Sequence, residues 1–243
     1  MRWLLLSTLL VQSATAQSEA DKLEAALKKF GERTYRMSEA GTEVGTVTLR
    51  SKVRKEGDRK VAVLEAEFKV KVEEMEAAMT FVECADLDGL KFLSARRSGN
   101  TPDRKLDSHV TVKEGKALLK DGDAESSHAI GKETTGDLAS VWLVCAAEQK
   151  KDAAFKLDVL NLAMPGHEPG HVFACLGKET IEIGGKKVEA FKWVEKGEWK
   201  HSIKVGGKDF ERNSKVENHY WVNPEGYLVR FTSGRTEATL DAK

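Results

Sequence analysis

The stretch Ala62 to Glu73, AVLEAEFKVKVE, limits what this chain can fold into more than any other. Ala62, Leu64, Ala66, Phe68, Val70 and Val72 fall in one phase, with Glu65, Glu67, Lys69, Lys71 and Glu73 in the other. A period of two puts the first set on one face of a β-strand and the second on the opposite face. An antiparallel sheet tolerates one apolar and one wet face, whereas a parallel sheet is covered on both. The run is also about twice the usual five or six residues of a strand. It therefore predicts a large, curved antiparallel sheet.

The same grammar recurs along the chain. Val47, Leu49 and Val53 alternate with Thr48, Arg50, Lys52 and Arg54, and Glu56-Gly57-Asp58 supplies a turn into the strand above. Further strands are expected at Met75 to Cys84, Leu90 to Arg97, and Ser108 to Lys113 with Val110 and Val112 inward. Others are expected at Phe155 to Leu160, Val172 to Ile183, Lys187 to Val194, Trp199 to Val205, Val216 to Val222 and Tyr227 to Thr232. Two glycine pairs, in IEIGGKKVE and IKVGGKDFE, mark hairpins because both glycines can take positive φ. FVECADLDGLKFLSA and YWVNPEGYLVRFT share a second device, a strand, an acidic-glycine turn and an apolar strand.

Two segments break the β period. Leu23, Ala26, Leu27 and Phe30 sit at helical spacing behind Ser18, a capping residue, and ahead of Gly31, a terminator. Leu138, Val141, Trp142 and Cys145 also follow the i, i+3, i+4, i+7 rule, which predicts a helix over 137–147 that plugs the sheet. The expected fold class is mainly β with minor α, a long, curved antiparallel sheet (half-barrel or open barrel) wrapped around one or two helices. No Pro-, Gly- or Ser-rich linker interrupts the pattern, so residues 17–243 are expected to form a single β-rich domain with an N-terminal helix at about 18–30.

The first residues carry a different message. Arg2, the apolar run WLLLSTLLV and the small residues Ala14-Thr15-Ala16 match the three regions of a secretory signal peptide over residues 1–16. The run is far shorter than the ~20 residues that span a bilayer, so no transmembrane segment is expected. The mature chain would begin at Gln17 or Ser18 and reside in the periplasm or outside the cell. Export into an oxidising compartment permits one disulfide among Cys84, Cys145 and Cys175, and burial as free thiols is equally compatible with the spacing. Lys plus Arg and Asp plus Glu both number 39, without a basic block, which argues against a nucleic-acid partner.

One motif invites a mechanism. HEPGH, His167 to His171, matches the H-E-x-x-H pattern that places two zinc ligands on one helical face. Pro169 and Gly170 forbid that helix, at a cost of roughly 3 kcal/mol for the proline and about 1 for the glycine. The segment reads as a solvated Pro-Gly loop, and no metalloprotease is expected. His167 and His171, with Cys175 four residues further on, remain as candidate ligands for zinc or copper, and a strand beginning at His171 would put His171, Phe173 and Cys175 on one face. Elsewhere, His109 is expected in solvent, and His201 beside Trp199 in a core or a pocket lining. Without a G-x-S-x-G elbow there is no sign of a nucleophile. Asp86-Leu87-Asp88-Gly89 and Asp121-Gly122-Asp123 lack the full calcium-loop ligand set and read as turns. Trp193, Trp199, Tyr220, Trp221, Tyr227 and Phe231 could line a cavity or fill the core.

The last third of the chain carries a family resemblance. Gly-Gly-Lys, then VEAFKWVEKGEW, then HYWVNPEGYLVRF is similar to the ending of exported bacterial proteins of uncharacterised function. In shape these resemble the half-barrel superfamily that includes the periplasmic lipoprotein carriers. That resemblance implies a long, strongly curved antiparallel sheet around one or two helices in the bacterial cell envelope, and it carries over no catalytic residues; no cofactor is expected. The functional expectation is an exported, non-enzymatic binding or envelope-associated protein whose candidate partner is a lipid or other apolar ligand. The alternative is a metal-binding protein or metal-dependent hydrolase using His167 and His171.

Overall fold

Strand pairing accounts for most of the molecule. The computed structural model describes residues 18–102, 105–122, 124–161, 166–205 and 208–241. In chain order the elements are α1 (Glu19–Phe30), β1 (Glu32–Glu39), β2 (Thr42–Glu56), β3 (Arg59–Val72), β4 (Met75–Asp86), β5 (Lys91–Asn100), β6 (Lys105–Lys113), β7 (Lys116–Asp121) and β8 (Ala124–Ala129). There follow β9 (Thr134–Gly136), α2 (Asp137–Ala146), β10 (Ala154–Asn161), β11 (Gly166–Ile183), β12 (Lys186–Val205), β13 (Lys208–Val222), β14 (Leu228–Ser233) and β15 (Thr236–Leu240).

All the strands form one 15-stranded sheet in the order β8-β7-β6-β5-β4-β3-β2-β1-β15-β14-β13-β12-β11-β10-β9. Every neighbour is antiparallel except β9 and β10, which run parallel. The order is that of two meanders joined where the first strand pairs with the last, Tyr35 opposite Leu240 and Glu39 opposite Thr236. The sheet does not close. It coils until its ends overlap, with β9 against β4 and β5, and β8 against β11. Such coiling follows from right-handed strand twist and is sharpened by bulges in the pairings β1–β2, β4–β5, β10–β11, β11–β12 and β13–β14. At Gly45 the bend admits no side chain. Its φ is 148°, and a Cβ there would lie 2.0 Å from the Lys69 carbonyl oxygen.

The concave face is the core. Ala62, Leu64 and Ala66 of β3 are buried there, with Phe68 packed at their edge, as the period-two reading requires. Both helices sit against this face. α1 is capped at Ser18, whose hydroxyl accepts from the Asp21 amide, and ends at Gly31 with φ 59°. Its buried stripe is Leu23, Leu27 and Phe30, and the Phe30 ring meets Trp142 of α2 at 5.2 Å. A smaller cluster of Phe92, Ala95, Val110, Ala117 and Leu160 seals the overlap between β5–β7 and β10. A third, around Ile181, Ile183, Ala190, Trp221 and Val229, holds the opposite face of β11–β14 together.

Several sequence expectations need correction. Lys187 to Val194 and Trp199 to Val205 are one strand, β12, because Gly197 stays in ladder register opposite Val216. Val112 is exposed rather than inward, one residue from the end of β6, where it pairs with Ala117 close to the turn into β7. The strands β1, β7, β8, β9 and β15 were not expected. No disulfide links the cysteines: Cys84, Cys145 and Cys175 are all free thiols, the last two buried. Both acidic-glycine turns do make hairpins, β4 to β5 and β13 to β14, and Asp88 closes the first by donating its amide to Asp86 Oδ1 at 3.0 Å. The signal-peptide segment and the second glycine pair lie outside the described residues.

Candidate functional site

HEPGH is neither helix nor loop. Its residues belong to β11, opposite β10, where Leu157 pairs with His171 and Val159 with Glu168. The register slips between those two pairs, so Pro169 and Gly170 form a bulge, with Gly170 at φ 73°. The Gly170 amide donates to Asp158 Oδ1 at 2.9 Å. Proline's missing N–H is tolerated at such a bulge because the ladder is already broken there. The bulge turns His171 inward. It is 1% exposed, which corrects the expectation of a solvated histidine. His171, Phe173 and Cys175 do share one buried face.

On that face His171 meets Glu195 of β12, Nδ1 to Oε1 at 2.6 Å. Glu195 is 4% exposed, and the hydrogen bonds it receives offset the cost of burying a carboxylate. Asn218 Nδ2 donates to its Oε2 at 2.8 Å, and the Tyr220 hydroxyl donates to the same oxygen at 2.5 Å. Ladder geometry assembles this set. Glu195 lies directly opposite Asn218 on β13, and diagonally from Tyr220 on β13 and His171 on β11. Burial, followed by the Glu195 charge, raises the Tyr220 pKa well above 10.0, so the phenol keeps its proton and acts as donor.

These groups form the polar floor of a cavity of about 390 Å³ between α2 and the sheet. Its walls are Tyr35 and Met37 of β1, Val47 and Leu49 of β2, Phe68 of β3, Leu138 and Val141 of α2, Leu228 and Phe231 of β14 and Ala238 of β15. Asp137, Ser140 and Asn161 add polar edges, and Ser233 and Thr236 stand where β14 turns into β15. An apolar chamber with a few converging polar groups is the usual form of a small-molecule site.

The cavity depends on how α2 is fastened. Glu83 of β4, fully buried, reaches the first turn of α2, and its Oε2 accepts from the Ala139 amide at 3.4 Å. Gly136 is needed at that contact, because a Cβ there would lie 2.2 Å from Glu83 Oε2. Burial, and then the neighbouring Asp137 charge, push the Glu83 pKa well above 4.5. Asp137 Oδ1 accepts from the Leu138 amide at 3.0 Å. At the other end, Gln149 donates to the carbonyls of Val144 and Ala147, each at 2.9 Å, and accepts from Trp193 Nε1 at 2.9 Å. Ser140 donates to the Asp137 carbonyl at 2.7 Å, which commits its proton within the helix. Together these contacts fasten both ends of α2 to the sheet.

Of the residues singled out in the sequence, His171, Tyr220 and Phe231 reach the cavity. Trp193 is core, and Trp221 faces away between Lys192 and Arg230. His109 is exposed, as expected. The side chains of His167, Trp199 and His201 lie outside the described residues. Among the described residues, no group of three or more His, Cys, Asp or Glu converges to hold a metal.

A cavity lined by aromatics was one of the two sequence expectations, and Tyr220 and Phe231 do line it, but Glu195 and Asn218 were not among the candidate residues. Yet a signal was present. His171 precedes Phe173 and Cys175, Glu195 follows Phe191 and Trp193, and Asn218 precedes Tyr220 and Val222, each in the apolar phase of its strand. A polar residue in the buried phase is the mark of an internal polar site.

No protein-family model matches the chain, and no curated protein matches its sequence. Likeness is found among solved structures. A beta-barrel-like protein of the domain of unknown function DUF1849 from Brucella abortus superposes with a TM-score of 0.53 at 10% identity, covering 86% of this chain and 94% of that one. A DUF1089 family protein from Pseudomonas aeruginosa gives a TM-score of 0.38 at 10% identity, over 76% and 89% of the two chains. The hypothetical lipoprotein YmcC from Escherichia coli gives 0.34 at 14% identity, over 93% and 96%. At such identity the first likeness establishes the fold alone: this chain is an open, beta-barrel-like sheet similar to a protein of unknown function.

Proposed function

We propose that the protein is exported and binds a small amphiphile, without catalysis, in the chamber between α2 and the sheet. One observation carries the reading: an apolar cavity of about 390 Å³ whose floor is the His171–Glu195–Tyr220–Asn218 cluster. The volume is near the low end of ligand pockets, roughly 300–1,000 Å³, and so suits one acyl-like chain better than a two-chain lipid. Among the described residues no helix is long and apolar enough to cross a membrane. The signal-like N-terminus supports export and predicts that the secreted product begins at Gln17 or Ser18.

Binding is tested with N-phenyl-1-naphthylamine, a dye that brightens in apolar surroundings. The exported protein should enhance its fluorescence saturably. Ser233→Trp, placed beside the chamber where overpacking of the core is small, should cut the affinity about tenfold or more by filling space the probe needs. Saturable enhancement that Ser233→Trp leaves unchanged would locate the dye elsewhere and sink the proposal. One equivalent of zinc in the purified protein, lost in a His167→Ala/His171→Ala double variant, would instead support the metal-binding alternative.

A further inference from the structure

The chamber's charge pattern says more about what can enter it. Its lining holds two carboxyl groups, Asp137 and Glu195, and one imidazole, His171, and no Lys or Arg among the described residues. A helix N-terminus would ordinarily favour an anion, and α2 begins at this cavity with Asp137 on its wall. That end is already taken by acids of the chain itself. Glu83 accepts from the Ala139 amide, and Asp137 from the Leu138 amide. The three donors nearest the floor, His171 Nδ1, Asn218 Nδ2 and the Tyr220 hydroxyl, are likewise directed onto Glu195. An anionic head group would have to enter beside two carboxyl groups, leave its water and find those donors engaged. Juxtaposed like charges in a desolvated site are strongly unfavourable.

We infer that the ligand is a single-chain amphiphile whose polar end donates hydrogen bonds and carries no negative charge, an alkyl amine or alcohol rather than a fatty acid or phosphate. This rests on the binding role proposed above and narrows its ligand class. The carboxylate and amide oxygens of the floor would accept from such a head, while the chain lies along Leu49, Phe68 and Phe231.

The test is displacement of bound N-phenyl-1-naphthylamine from the exported protein by dodecylamine, dodecanol and dodecanoate, each as monomer at about pH 7.5, where the amine is cationic and the acid anionic. Dodecylamine and dodecanol should displace the dye, with dodecanoate weaker by about tenfold or more. Glu195→Gln keeps the shape of the floor and removes a charge, and should shrink that gap. Asp137→Asn supplies a second variant should the first fail to fold, with the same expected direction. Dodecanoate competing as well as dodecylamine would overturn the inference and leave the binding role standing. Failure of the dye to bind at all would remove both.

Discussion

Gly197 shows how closely the candidate site is built. It lies on β12, two residues beyond Glu195, and a Cβ there would fall 2.3 Å from His171 Nε2. The imidazole therefore rests on bare backbone, and only glycine leaves room for it. Gly197→Ala should push His171 off Glu195 and destabilise the fold by about 1–3 kcal/mol, as overpacking does. Urea denaturation would measure the loss, and a midpoint unchanged from the parent would show that the ring can shift freely. Cys145 makes a complementary case. Burial pushes its thiol up to about 12, so it should resist alkylation in the native protein and react once urea unfolds the chain. Mass spectrometry of iodoacetamide-treated protein reads this directly, and rapid native labelling at Cys145 would contradict its burial.

At the scale of elements, α2 is tied to the sheet by a buried acid, which gives its anchorage a pH dependence. The folded pKa of Glu83 lies above its ordinary 4.5, so the folded state holds that proton more tightly than the unfolded chain. Its contribution is complete below about pH 4.5 and is lost as the pH rises through the folded value. Glu83→Gln keeps a neutral polar side chain and should flatten the decline in Tm toward alkaline pH. Identical slopes for parent and variant would assign the dependence to another group. This anchorage was not legible in the sequence, because Glu83 and α2 are far apart in the chain and a lone strand acid reads as solvent-facing. The helix itself was legible, since Leu138, Val141, Trp142 and Cys145 keep helical spacing amid period-two text. The long strands were legible for the same reason. The short strands β9 and β15 were not, because three to five residues carry too little pattern to register. The HEPGH bulge failed differently. Pro-Gly normally signals a turn, and only the pairing partner β10 turns it into a kink within a strand.

For the whole molecule, stability should fall away from the centre of the sheet toward one free end. β1 to β3 are flanked on both sides and carry the main core, whereas β8 has a single hydrogen-bonded neighbour and mostly exposed residues. Amide hydrogen exchange should therefore be fastest in β8, slower in β6, and slowest in β2 and β3. Uniform protection across the sheet would mean that it opens only as a unit. The pairing of β1 with β15 sets a further condition, on the timing of folding. Each meander can zip from local hairpins, but this seam joins the two ends of the chain, and Tyr35 holds the Leu228 carbonyl across 193 residues. Closing so long a loop carries an entropic cost that no local contact repays in advance. The seam is thus expected to form last. A chain released before Thr236 would leave β1 with an open edge in the middle of the sheet, ready to take a strand from another copy.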